Sequence, residues 1–177
     1  FNFRFFGGSV NDDFVIAPDG KIFKNMKGDF YNALFEVYIQ KQYDFNFDED
    51  FILIDIGFHA GIASNYLIRK HKNLKQVYGF EAVLPTYHIG RENINNNHAE
   101  DKVDLKPLGL SDHFELKKVP YIPDWASKMS IEPKNEFYDM YASSEMKDEI
   151  RYLTTEIVPA HTELGKIIDN TPFKIVL

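Results

Sequence analysis

The sequence predicts an α/β fold with a mainly parallel central sheet, and three observations carry that prediction. The first is FILIDIGFHAGIAS, residues 51–64, where a continuous apolar run passes through an acid and two glycines into a segment of helical character. The second is that this order repeats: between Phe51 and Leu110 apolar runs alternate with helical segments as β-α-β-α-β, which calls for a parallel sheet with right-handed crossovers. The third is size, since 177 residues at 44% hydrophobic content suffice for one sizeable core.

Taken along the chain, FVIA and KIF flank the turn-former PDG, so Phe14 to Phe23 reads as a hairpin, a lid or edge element before the main fold. From Asp29 to Tyr43 the apolar residues Phe30, Leu34, Phe35, Val37, Tyr38 and Ile39 recur at helical spacing, with Asp29 able to cap the first turn. The acidic FDED leads into Phe51 to Ile56, whose unbroken apolar character suits a strand covered on both faces. Ile62 to His71 is helical, Gln76 to Phe80 is a second strand ending at Glu81, and Pro85 starts a helix that runs out in NINNN near Asn97. Val103 to Leu110 reads as the third strand.

Beyond Ser111 the alternation breaks. A strand around Leu116 to Ile122, a loop holding Trp125 and a helix near Asn135 to Ile150 are the expectations there. The chain begins at Phe1 and stops inside TPFKIVL, where the apolar run Phe173 to Leu177 reads as a strand buried on both faces. A longer polypeptide with roughly two more βα units of ~30 residues is therefore expected.

Composition excludes several classes of function. The formal charge of −7, from 27 acids against 20 Lys and Arg, provides no positive field for nucleic acid. There is no cysteine, hence no disulfide, thiolate metal site or thiol nucleophile. No apolar run reaches the ~18 residues of a membrane span, and no signal-peptide plan opens the chain, so a cytoplasmic protein without stable membrane insertion is expected. His88, His98, His113 and His161 have no spacing that suits a metal.

A glycine turn between a buried strand and a helix presents backbone N–H groups and a helix N-terminus at the carboxyl edge of the sheet, where ligands bind in open α/β folds. The dinucleotide pattern GxGxxG is absent: Asp55-Ile56-Gly57 and then Gly61 put an acid in the turn, which would repel a pyrophosphate but can face an ammonium group. Glu81, about twenty residues on, stands where an acid can accept both hydroxyls of a ribose. The pair suits a nucleoside with a cationic amino-acid tail.

The segments LIDIGFHAGIAS, VYGFEAVLPTYHIGRENINNN, VDLKPLGLSDH and FKIVL resemble the FkbM-like methyltransferases of the class I, Rossmann-like superfamily. The resemblance implies a Rossmann-like methyltransferase domain over 51–177, incomplete at its C-terminal end, behind a hairpin-and-helix extension over 1–50. It implies S-adenosylmethionine as cofactor, with Asp55, Gly57 and Gly61 at the methionine end and Phe58 and His59 in the same turn. Glu81, followed by Ala82, would lie at the ribose, and Ser111 and Asp112 beside the adenine. The implied activity is O-methylation of a hydroxyl on a glycan or glycosylated small molecule. Three features depart from the family: His59 where Asn is usual, His161-Thr162 where Leu-Asp usually precedes the next helix, and an apparent insertion over Asn135 to Ile150. The family order would place Phe173 to Leu177 as a parallel strand beside Phe51 to Ile56, and the acidic DVEG-like motif would follow Leu177.

For single residues the plainer readings stand beside the functional ones. His59 has an intrinsic pKa suited to a general base, or is a supporting histidine. Asp112 is an adenine contact or a turn residue. Tyr121, Trp125, Phe137, Tyr138 and Tyr141 line a sugar surface or, for the last three at helical spacing, pack in a core. Two rivals remain: a nicotinamide oxidoreductase, which the missing GxGxxG disfavours, and a non-catalytic nucleoside-binding or interaction module that keeps the cofactor fold.

Overall fold

The computed structural model describes residues 7–26, 28, 30–122 and 150–177. The chain enters through a three-stranded antiparallel unit of β1 (Ser9–Val10), β2 (Phe14–Ile16) and β3 (Ile22–Lys24). β2 and β3 pair from Phe14 with Lys24 to Ile16 with Ile22, around the expected PDG turn, where Gly20 takes φ +87°. Helix α1 (Phe30–Tyr38) follows and buries Phe30, Leu34, Val37 and Tyr38 on one face. It is shorter than the expected Asp29 to Tyr43. The Ile39 and Gln40 amides both turn back to the Phe35 carbonyl and Lys41 adopts φ +54°, a combination that ends the helix. Asp29 and its capping role lie outside the described residues.

The central unit runs β4 (Phe51–Ile56), α2 (Ile62–Lys70), β5 (Leu74–Phe80), α3 (Leu84–Asn96) and β6 (Val103–Lys106). Next come β7 (Gly109–Ser111), β8 (Glu115–Tyr121), β9 (Arg151–Pro159), α4 (Ala160–Ile168) and β10 (Lys174–Val176). Strands β10, β4, β5 and β6 form, in that order, a parallel sheet of four. Numbered by appearance they read 3-2-1-4 across the sheet, the order of one half of a doubly wound fold. With four helices among the described residues, this is a mixed α/β arrangement compatible with a Rossmann-like fold.

Strand β4 is buried on both faces, as its apolar run predicts. Phe51 and Leu53 pack with Leu67, Leu74, Val77 and Ile94, while Ile52 and Ile54 pack with Phe80 and Ile167 of α4. Full burial of one such side chain stabilises by roughly 1.5–3 kcal/mol, so β4 anchors the sheet. β10 pairs with it in the expected parallel sense, Lys174 opposite Phe51. The expectation that this strand is buried on both faces does not hold. Lys174 and Ile175 are exposed, and Val176 packs onto the Phe51 group from one side only.

The expected third strand is two. Pro107 has no N–H to give a ladder, so β6 stops at Lys106, and β7 joins a different sheet of order β7-β9-β8. β9, whose Thr155 and Ile157 are buried while their neighbours Thr154 and Glu156 are exposed, pairs parallel to β7 and antiparallel to β8. It was not anticipated, although RYLTTEIV carries the β-branched residues of a strand. His161 and Thr162 fall inside the first turn of α4 rather than before it. The expected helix near Asn135 to Ile150, with Phe137, Tyr138 and Tyr141, and the loop holding Trp125 lie outside the described residues except for Ile150, which is not helical.

The NINNN run has a structural use. Asn97, the C-cap of α3, accepts from the Ile22 amide at 2.8 Å and donates to the Ile22 carbonyl at 2.7 Å, so its side-chain amide acts as a neighbouring strand would. One turn earlier, fully buried Asn93 accepts from the Lys24 amide at 2.6 Å and donates to the Ala60 carbonyl at 2.9 Å. The hairpin is therefore an edge element fastened to α3. Asn93 also ties it to the turn after β4.

Candidate functional site

Between β4 and α2, three of five consecutive residues take left-handed backbone: Gly57 at φ +84°, His59 at +53° and Gly61 at +70°. Glycine supplies two of these without steric cost, and His59 is the strained one. The amides of Gly57 and Phe58 both donate to the Phe80 carbonyl, each at 2.9 Å, and the Gly61 amide donates to the Phe58 carbonyl at 2.8 Å. Together with the His59 amide, which donates to Glu81, four of the five turn amides are thus engaged within the fold. A tight double-glycine turn closes on its own carbonyls when its neighbour strand is in register.

Phe58 turns its ring inward, buried to 3% exposure. A Cβ at Gly79 would lie 2.5 Å from that ring, one at Gly90 would lie 3.2 Å from it, and one at Gly61 would also collide with it. Three glycines from three elements make the socket, so Phe58 anchors the turn through its packing. A Cβ at Gly57 would meet nothing within 4 Å, which leaves that side of the turn open.

The two acids flank the turn. Asp55, in β4, accepts from the Ser64 hydroxyl at 2.5 Å; burial pushes its carboxyl above the usual range, and the Ser64 bond opposes that only in part. Glu81, buried directly after β5, accepts the His59 amide on Oε2 at 2.8 Å and the Val83 amide on Oε1 at 2.9 Å. Burial raises its pKa most, the two amides pull it down, and the charge of Asp55 pushes it up again. One amide per oxygen leaves the Glu81 carboxylate further acceptor capacity. The His59 ring is driven down to about 4 by burial, so it is neutral near pH 7, and its buried Nε2 has no hydrogen-bond partner among the described residues.

Ala82 contributes its carbonyl to the Thr155 hydroxyl, which joins β9 to this edge of the parallel sheet. Ser111 and Asp112 stand apart. The Ser111 hydroxyl donates to Asp112, whose carboxyl also meets His113 Nδ1 at 2.5 Å; these bonds hold Asp112 below the usual carboxylate range and raise His113. Among the described residues no hydrogen bond connects this pair to Asp55 or Glu81. The structure brings together Asp55, Gly57, Phe58, His59, Gly61, Glu81 and Ala82, and leaves Ser111 and Asp112 on the other sheet.

A cavity of about 680 Å³ opens beside Asp55, Gly57 and His59, between the carboxyl end of β4 and β10, where the strand order reverses. Its size is that of a small-molecule site. Its far wall comes from α1 and the loop after it, including Glu36, Tyr43 and Phe45. No sequence pattern pointed to those three, because their proximity to the turn depends on how α1 docks on α2. Glu81, Ala82, Ser111 and Asp112 do not line it. Among the described residues no cluster of three or more His, Asp or Glu could hold a metal ion, and no helix is long and apolar enough to cross a membrane. No family model, curated protein or solved structure matches the chain.

Proposed function

We propose that the protein is an S-adenosylmethionine-dependent methyltransferase of the FkbM-like kind, acting on a hydroxyl of a glycan or glycosylated small molecule. One observation carries the reading: Asp55 and Glu81 stand at the carboxyl ends of adjacent strands β4 and β5, on either side of a left-handed glycine turn, with a ligand-sized cavity at the reversal of strand order. The residues fit the cofactor in part. Asp55 faces the cavity with a carboxyl group suited to an ammonium, and the open face of Gly57 lets a ligand approach the backbone. Glu81 has acceptor capacity left for ribose hydroxyls.

When bound, the cofactor supplies a methyl group already activated by its sulfonium. The acceptor hydroxyl would have to give up its proton to a base beside it. The chain's contribution is alignment, which for an in-line displacement provides much of the acceleration. His59, with a pKa of about 4, is a weak acceptor for that proton. In this reading it shapes the turn, and the base comes from elsewhere.

A second reading is favoured by one observation: the two backbone amides on Glu81 account for its burial without a ligand, as they would in a non-catalytic module that keeps the fold. Calorimetry with S-adenosylhomocysteine decides. Saturable one-to-one binding, followed by methyl transfer to members of a glycan panel, supports the enzyme. Binding without transfer favours a nucleoside-binding module, and no binding overturns the methyltransferase reading and leaves an interaction module that keeps the fold.

A further inference from the structure

The loop between α1 and β4 supplies Gln42, Tyr43 and Phe45 to the cavity lining, and the far end of α2 holds that loop in place. Lys70 pairs with Asp44 and donates to the Phe45 carbonyl at 2.8 Å, and the Tyr66 hydroxyl donates to Asp44 at 3.2 Å. Just past the helix, the Asn73 side-chain amide donates to the Phe47 carbonyl at 2.7 Å and to the Glu49 carbonyl at 2.5 Å. The loop is therefore both a wall of the cavity and a segment fastened to α2.

His71, the C-cap of α2, stands between the two. Its ring stacks on Phe45 at 4.9 Å between centroids and 20° between planes, and meets Phe51 of β4 edge-on at 5.5 Å. The residue is 7% exposed, and its buried Nε2 has no hydrogen-bond partner among the described residues. The ring's bond to the Phe45 backbone therefore falls to Nδ1, which donates to the carbonyl and leaves Nε2 as the nitrogen that takes up a proton. A proton there would create an enclosed N–H with no acceptor, beside the Lys70 ammonium. Burial lowers the pKa of His71 most, Lys70 adds to that, and the Phe45 bond opposes it. Of the elements at the ring, α2 brings Lys70 and Tyr66, the loop brings Asp44, which both of them bond, and β4 brings uncharged Phe51.

We propose that His71 is a proton-sensitive latch on the cavity wall: its neutral ring seats the 42–47 loop against α2, and protonation at Nε2 releases the loop and opens the cavity. Because the folded pKa lies below the ordinary 6.5, the contribution of the neutral ring is complete above 6.5 and is lost as pH falls through the folded value. His59, the histidine in the cavity lining, stays neutral down to about 4 and so titrates below this window. The latch acts on whatever small molecule the cavity holds and does not depend on the methyltransferase reading.

The Asn73 side-chain hydrogens report on the latch, since both of their acceptors are loop carbonyls. Their exchange protection, corrected for the intrinsic rate, is followed by NMR from about pH 7 to about pH 5 together with the His71 ring carbons. Wild type is compared with His71→Phe, which keeps an aromatic ring and takes up no proton. In wild type the protection should fall at least about threefold, since each unit of pKa depression is a tenfold change in the opening equilibrium, and the ring midpoint should lie below 6.5. In His71→Phe it should stay level. Asp55, whose raised pKa draws its titration toward the same window, is present in both proteins and cancels in the comparison. Flat protection in wild type, an equal fall in His71→Phe, or a ring midpoint at or above 6.5 would each overturn the proposal. If His71→Phe does not fold, the wild-type titration still decides: a fall that sets in as pH drops below about 6.5 upholds the latch, and one that sets in elsewhere overturns it.

Discussion

Glu81 Oε2 accepts the His59 amide hydrogen at 2.8 Å, while the other oxygen of the same carboxylate holds the Val83 amide at the start of α3. One buried side chain thereby joins the turn after β4 to the helix after β5. Glutamine at this position has a single acceptor oxygen, so one of the two amides would face an NH2 group instead. Glu81→Gln is expected to lower unfolding free energy by about 1–3 kcal/mol, the cost of a buried donor left unpaired. Urea unfolding measures it; unchanged stability would mean that the turn and α3 do not depend on this bridge.

Glu81 also has the proposed role at the ribose. Glu81→Ala should weaken S-adenosylhomocysteine binding by about 1.5–3 kcal/mol, the range for hydrogen bonds to a charged group. Calorimetry on the folded fraction separates this from the stability loss. Normal affinity in a folded variant removes Glu81 from the site.

Asp55 gives a pH dependence with a definite sign. Its folded pKa is raised above the ordinary 3.8, so its favourable contribution is complete below that value and is lost as pH rises through the folded pKa. Asp55→Asn keeps an oxygen for Ser64 but does not titrate. Wild type should therefore lose stability relative to Asp55→Asn as the pH is taken from about 4 to about 7. A difference that stays flat over that window would show that Asp55 is not buried as described.

His59 runs the other way. Its pKa is depressed from 6.5 to about 4, so the stability it contributes is present above 6.5 and is lost as pH falls through the folded value. The ring carbons should titrate by NMR with a midpoint near 4. A midpoint near 6.5 would place the ring in solvent and reopen its candidacy as a general base.

Asn93 connects three elements through one side chain. Asn93→Ala removes partners from the Lys24 amide and the Ala60 carbonyl, and a loss of about 2–4 kcal/mol is expected, against about 1 kcal/mol for half-buried Asn97→Ala. Denaturant unfolding of the two variants compares them. Equal small losses would mean that the hairpin is held by its Phe23 core packing instead.

The order from β4 to β6 is legible in the residues because it rests on local periodicity: a six-residue apolar run, a double-glycine turn and two amphipathic helices each declare themselves within one window. The apolar run of Phe173 to Leu177 declared a strand in the same way, whereas its parallel pairing with β4 was expected only from the family resemblance. What the residues alone did not reveal depends on partners distant in sequence. Pro107 marked a break, but only the pairing of β7 with β9, some fifty residues on, made two strands of one apolar run. NINNN looked like a failing helix until the β3 edge supplied partners for Asn93 and Asn97. An acid after β5 was visible in the sequence. Its two backbone amides, and the cavity wall formed by Glu36, Tyr43 and Phe45, were decided by tertiary structure, since a side chain's hydrogen-bond partners are chosen by what packs against it and not by its neighbours in the chain.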